Sequence, residues 1–167
     1  NALGKLDLHS LKKFKGVGEA KAISIGAALE LGRRRKLEEE EKKPKISSSK
    51  DAFQLVEGVL ADLPHEEFWV LLLNRANQLI TKQNISKGGV SGTVADAKLI
   101  FRGAIEKLAS AIILCHNHPS GNLKASQADI KLTEKLVQAG KTLDIAVIDH
   151  IIVGNQGYLS LADEGLM

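Results

Sequence analysis

A single cysteine, Cys115, stands in the 167 residues, so no internal disulfide can form and the fold must rest on packing. A reducing cytoplasm is the natural expectation for such a chain. Aromatic residues make up only 4% of it, which leaves the core to Leu, Ile, Val and Ala. No apolar run approaches the roughly 18 residues of a membrane helix, and no signal-peptide pattern opens the chain. No membrane association is therefore expected. The first residues are Asn1-Ala2 rather than Met, the look of an excised piece with sequence missing upstream. The hydrophobic share is ordinary at 44%, enough for one compact domain with a small accessory element.

Charge is unevenly placed. Residues 1–50 hold 13 Lys/Arg against 7 Asp/Glu, a net of +6, whereas residues 51–167 hold 10 against 13, a net of −3. An anionic partner, if there is one, belongs with the N-terminal third.

The order of elements follows from periodicity. Residues 1–35 read as a helical hairpin: Leu8–Lys15, a Gly16-Val17-Gly18 turn, then Glu19–Arg35 with an apolar stripe of Ala20, Ile23, Ala27 and Leu31. Residues 36–50, charged and serine-rich with one proline, read as a solvated linker. From residue 51 to 167 helices and strands alternate. A helix over Asp51–Leu60 precedes Phe68–Asn74, a continuous apolar run that suits a strand buried on both faces. Gln78–Ser86 is a second strand, Ala95–Leu108 an amphipathic helix and Ala111–His118 a strand stopped by Pro119. A helix over Ser126–Ala139 is expected to close at Gly140, followed by strands at Leu143–Val153 and Tyr158–Leu161.

Chemistry concentrates in CHNHPSGNLKASQAD, residues 115–129. Strand residues two apart share a face, so His116 and His118 project side by side. Pro119 and a Ser120-Gly121-Asn122 turn let the chain return at a helix start with Asp129. Two histidines and one carboxylate make three ligands and leave a fourth tetrahedral position open, as in catalytic zinc sites. Each fragment also has a plain structural explanation. A strand rim can carry two histidines, and Ser126-x-x-Asp129 is a helix-capping pattern. Their joint occurrence favours a metal site.

The pattern His-Asn-His-Pro followed by Ser-x-x-Asp resembles the JAMM (MPN-plus) metal motif, in the version of the bacterial RadC-like branch. The similarity extends through HEEFWVLLLN (65–74), ILCHNHPSG (113–121), LDIAVIDHIIV (143–153) and DEGL (163–166). It implies an α/β fold, a mixed sheet flanked by helices that resembles cytidine deaminase, here preceded by the small helical hairpin. It implies His116, His118 and Asp129 as zinc ligands, with Ser126 stabilising an oxyanion. It further implies an upstream glutamate that accepts the proton of the zinc-bound water. Glu66 and Glu67 both stand before the buried strand, on opposite faces by alternation; the family spacing favours Glu66. Asn117 matches the RadC-like branch, whereas Ala125 replaces its usual proline. Cys115 should face the core, and His150 suits a supporting role better than ligation.

FKGVGEAKA (14–22) is similar to a helix-hairpin-helix element. Lys15, Gly16, Gly18 and Lys21 would then meet a nucleic-acid backbone through turn amides and ammonium groups. A lysine-flanked glycine turn and arginines ending a helix also occur without any ligand. Two functions remain in view. One is a zinc-dependent hydrolase of amide or isopeptide bonds in a peptide or protein substrate. The other is a DNA-associated accessory protein whose metal site is structural or nucleolytic.

Overall fold

The computed structural model describes residues 6–37, 43–88 and 95–167. Contacts divide the chain into two units, residues 1–42 and 43–167. No helix among the described residues is long and apolar enough to cross a membrane.

The first unit has two helices, α1 (Leu8–Leu11) and α2 (Glu19–Leu37). Asp7 caps α1 by accepting the Ser10 amide hydrogen at 2.7 Å. The expected first helix, running to Lys15, ends a turn earlier. Lys13 and Phe14 bond three residues back, to Ser10 and Leu11, and Gly16 then takes a left-handed φ of 82°. Leu11 and Ala22 are the buried apolar residues among the described part of this hairpin.

The second unit is a five-stranded mixed sheet in the order β2-β1-β3-β4-β5. The strands are β1 (Glu67–Leu73), β2 (Leu79–Lys87), β3 (Ala111–Asn117), β4 (Ala146–Gly154) and β5 (Gly157–Ser160). Every pairing is antiparallel except β3 with β4. Three helices cover it: α3 (Ser49–Leu60), α4 (Ala97–Glu106) and α5 (Gln127–Thr142). The period-2 pleat sorts the core into two layers. Leu71, Leu73, Ile113, Cys115, Ile151 and Val153 pack with Ala52, Val56 and Leu60 of α3. Phe68, Val70, Leu72, Ile112 and Leu114 pack on the other face with Ile100, Phe101 and Ala104 of α4 and Leu136 of α5. All seven residues of β3 are buried, which is why the central strand reads as an unbroken apolar run.

Two expectations change. Residues 43–50 are not a solvated linker but the first part of the sheet unit. Lys45 bridges to Gln78, Ile46 is buried in the α3 layer, and Ser48 caps α3. The apolar Ile46 alone, among lysines and serines, was too weak a periodic signal to reveal this. Gly140, expected to terminate α5, lies inside it. A Cβ there would collide with the carbonyl oxygen of Ile145, so the glycine admits the chain that enters β4. The left-handed residue past the helix is Asp144, at φ 54°. The glycine-rich stretch 89–94 and residues 38–42 lie outside the described residues.

Candidate metal centre

β3, α5 and β4 form a parallel strand–helix–strand unit, which sets the C-terminal end of β3 beside the N-terminus of α5. His116 is the last inward residue of β3 on the α5 face. His118, one residue past the strand, stays in register because its amide donates to the Val153 carbonyl at 2.8 Å. Asp129 sits in the first turn of α5, fixed by a complete capping box. Ser126 Oγ accepts the Asp129 amide hydrogen at 3.1 Å, and Asp129 Oδ2 accepts the Ser126 amide hydrogen at 2.7 Å. The capping and ligand roles of this motif are therefore compatible: the cap aims the carboxylate.

Ligand-type atoms of His116, His118 and Asp129 all lie within 4.8 Å of one another. His116 Nε2 and His118 Nε2 are 2.9 Å apart. Asp129 Oδ1 is 3.4 Å from His116 Nε2, and its Oδ2 is 3.8 Å from His118 Nε2. Tetrahedral ligands on bonds of about 2 Å are separated by about 3.3 Å, so this donor set fits a zinc-sized ion with small adjustments.

The protons support that fit. His118 Nδ1 lies 2.6 Å from the carbonyl oxygen of Asn122, which can only accept. Nδ1 therefore carries a hydrogen, which leaves Nε2 as the nitrogen that can ligate. His116 Nδ1 is 2.8 Å from His150 Nε2, a fully buried contact. Burial, reinforced by the neighbouring His118 and opposed by Asp129, pushes the His116 pKa down to about 4. Burial also drives His150 well below the ordinary histidine range, so both rings are neutral. Phe68 stacks on His116 with the rings 6.0 Å apart and meets His150 edge-on at 5.6 Å, forming an apolar wall.

The two glutamates separate by face. Phe68 is directly paired with His116, and Trp69 with Cys115. Glu67 belongs to the Cys115 face and is 4% exposed. Its carboxylate accepts from Trp69 Nε1 at 2.8 Å, Asn84 Nδ2 at 2.6 Å and His65 Nε2 at 3.0 Å. Glu66, half-buried, precedes β1 and has the strand parity of Phe68. Asn117 grips the backbone on either side of it. Its Oδ1 accepts the Glu67 amide hydrogen at 2.7 Å, and its Nδ2 donates to the His65 carbonyl at 2.9 Å. Cys115 is fully buried in the α3 layer, and burial raises its thiol pKa far from the nucleophilic range.

A family model described as a RadC-like JAB domain matches residues 46–166. The chain belongs to this family. It is 52% identical over 166 residues to a UPF0758 protein of Flavobacterium johnsoniae, covering 99% of this chain and 72% of that protein. Identity to a UPF0758 protein of Porphyromonas gingivalis is 46% over 167 residues, with coverage of 99% and 74%. A relative of the same description from Methanosarcina mazei is 38% identical over 165 residues, with coverage of 99% and 72%. The RadC-like match begins at Ile46, the first buried residue of the sheet unit.

Several RadC-domain residues that shape the site carried no signal of their own in the sequence. Thr133 touches His150 and stands one helical turn after Asp129, a spacing meaningful only once α5 is placed. Ser86, paired with Phe68, has a buried hydroxyl without a partner among the described residues. Outside the RadC domain, Lys15 is exposed, and Gly16 and Gly18 flank the hairpin turn. The Lys21 ammonium donates to the Gly16 carbonyl at 2.9 Å, so it braces that turn.

Proposed function

We propose that this protein is a metal-dependent hydrolase, using zinc to cleave amide or isopeptide bonds in a peptide or protein substrate. The observation that carries the reading is the pair of Nε2 atoms 2.9 Å apart, with a carboxylate beside them. With hydrogen on each Nδ1 and none on Nε2, two lone pairs face each other beside an anion, and a divalent cation between them removes that cost. His2Asp with one open position is the donor set of hydrolytic zinc sites, and the family supports the same chemistry. Zinc, when bound, lowers the pKa of water toward about 7 and polarises a carbonyl.

The chain's own groups supply the rest. Glu66 takes the proton of the attacking water and delivers it to the leaving nitrogen. Its strand parity supports this role, and the three donors around Glu67 commit that residue elsewhere. Ser126 accepts from Asp129 N–H, and its own hydroxyl hydrogen has no partner among the described residues. That hydrogen is available to an oxyanion at the metal.

Metal analysis of protein purified without chelator should find one zinc per chain, lost in His118→Ala. In a screen of peptide, isopeptide and DNA substrates, Glu66→Gln should abolish hydrolysis and keep the metal. Wild-type protein that neither holds nor takes up a divalent ion would sink the reading; activity retained by Glu66→Gln would remove that residue from the mechanism.

The net positive charge of residues 1–50 favours a second, separate activity: contact with a nucleic-acid backbone around Lys15, Gly16, Gly18 and Lys21. Arg33 and Arg34 are both engaged by Glu30, which reduces the charge they offer. Salt-sensitive DNA binding abolished by charge reversal at Lys15 and Arg34 would support this contact, and binding unchanged by those substitutions would remove it.

A further inference from the structure

Behind His116 lies a line of polar contacts that crosses from β3 to β4 and back to α5. It runs from His116 Nδ1 to His150 Nε2 at 2.8 Å, then from His150 Nδ1 to Thr133 Oγ1 at 2.6 Å. It ends at the backbone carbonyl of Asp129, 2.7 Å from the same hydroxyl. His150 and Thr133 are both 0% exposed, so no solvent competes along the line.

The last contact sets the direction of all the others. A carbonyl oxygen can only accept, so the Thr133 hydroxyl must spend its one hydrogen on Asp129. The hydroxyl oxygen can then only accept from His150, whose hydrogen must sit on Nδ1. That leaves His150 Nε2 bare, and it must accept from His116 Nδ1–H. His116 in turn is left with a bare Nε2, the atom facing His118 and Asp129. Reversing any hydrogen would put two acceptors or two donors in contact inside the core, where an unmet polar group is costly.

We propose that Thr133 and His150 are positioning residues that lock His116 in its Nδ1–H form, so that Nε2 always faces the metal as a bare donor. The inference rests on the metal-binding reading above and deepens it. One helix supplies both the carboxylate ligand and, four residues later, the hydroxyl that dictates which nitrogen of a strand histidine meets the ion. His118 receives the same instruction from the Asn122 carbonyl. Both histidines are thus set by backbone oxygens through fixed hydrogen bonds. Supporting contacts of this kind are typically worth 10–100-fold in metal affinity.

Thr133→Val keeps the shape of the side chain and removes the hydroxyl, freeing His150 and then His116 to reverse. Zinc affinity, measured by competition with a chromogenic chelator, should fall by roughly 10–100-fold in Thr133→Val and recover in Thr133→Ser. Nitrogen-15 NMR of metal-free wild-type protein should show both His116 and His150 hydrogen-bearing at Nδ1. Equal zinc affinity of wild type and Thr133→Val overturns the inference while leaving the metal site standing. A bare Nδ1 on His116 in the metal-free spectrum overturns it too, and needs no variant to fold. Wild-type protein that takes up no zinc overturns the metal reading and this inference with it.

Discussion

On the α5 face, β3 ends in His116, whose outward nitrogen points at a second imidazole nitrogen and a carboxylate. On the α3 face it ends in Cys115 and Asn117, among neighbours whose polar atoms are matched to partners. Glu67 takes hydrogens from Trp69, Asn84 and His65, with the Lys87 ammonium 3.6 Å away, and Asn117 satisfies two backbone groups. Polar groups of similar type, a few ångströms apart, are thus closed on one side and left open on the other. A native interior rarely tolerates unmatched polar atoms, so the open side is the one built to receive something. Glu66 and Glu67 divide along the same line, and a single step along the strand decides which is which.

Breaking the open face should give the largest effect. His118→Ala or Asp129→Ala removes one of three ligands, and zinc affinity should fall by more than about 100-fold, beyond the loss caused by a supporting contact. Chelator competition measures it, and the melting temperature of the metal-free protein should hardly change in His118→Ala but fall in Asp129→Ala, which also loses a bond of the capping box. Retained affinity in either variant would mean that the ion sits elsewhere.

Breaking the closed face should do the reverse. Glu67→Gln sets an amide against donors from Trp69, Asn84 and His65, and should cost about 1–3 kcal/mol in denaturant unfolding with little loss of zinc. The effect should also depend on pH. Burial opposes the Glu67 charge, but Trp69, His65 and Lys87 outweigh it and hold its pKa below the ordinary 4.5. A depressed folded pKa stabilises fully above the unfolded value and loses that contribution as pH falls through the folded one. The stability gap between wild type and Glu67→Gln should therefore narrow below pH 4.5. Glu66→Gln should change stability by no more than about 0.5 kcal/mol. If Glu66→Gln is the more destabilising of the two, the faces have been assigned the wrong way round.

Asn117→Ala tests the link between the faces. Two hydrogen bonds are lost, at about 1–3 kcal/mol in stability, while the histidines on the opposite side keep their zinc within a few-fold. Hydrolysis should fall more than zinc affinity does, because the backbone on both sides of Glu66 loses its grip. Equal losses of both would show that Asn117 acts on the metal ligands instead. The smallest effect on zinc and hydrolysis belongs to Cys115→Ala, which removes a buried sulfur for about 1 kcal/mol. Zinc binding should be unchanged, and the native wild-type thiol should resist alkylation. Rapid alkylation in the folded state would show that the closed face opens.

Local rules were enough for several features. The pairing of His116 with His118 on one face needs only the two-residue period of a strand. The capping box that orients Asp129 needs only Ser126 three residues earlier, and the buried position of Cys115 needs only alternation. The burial of both faces of β1 and β3 was legible because almost no polar residue interrupts them. Gly140 was misread because a glycine near the end of a helix looks the same whether it turns the chain or makes room for it. The approach of Ile145 decided between the two. The linker expected over residues 36–50 fails at 43–50 because one buried Ile46 among polar neighbours has no period to detect.

What the amino-acid sequence determined by itself was the identity of the three ligand-type side chains and the faces they occupy, since both follow from steric rules acting over a few residues. What only the tertiary structure decided was which nitrogen each histidine presents. That depends on Thr133, His150 and the Asn122 carbonyl, and two of those contacts exist only because β4 pairs in parallel with β3 at the register that sets His150 beside Leu114. A hydrogen atom's position on an imidazole is fixed by whatever touches the other side of the ring, and in a folded chain that neighbour comes from far along the sequence.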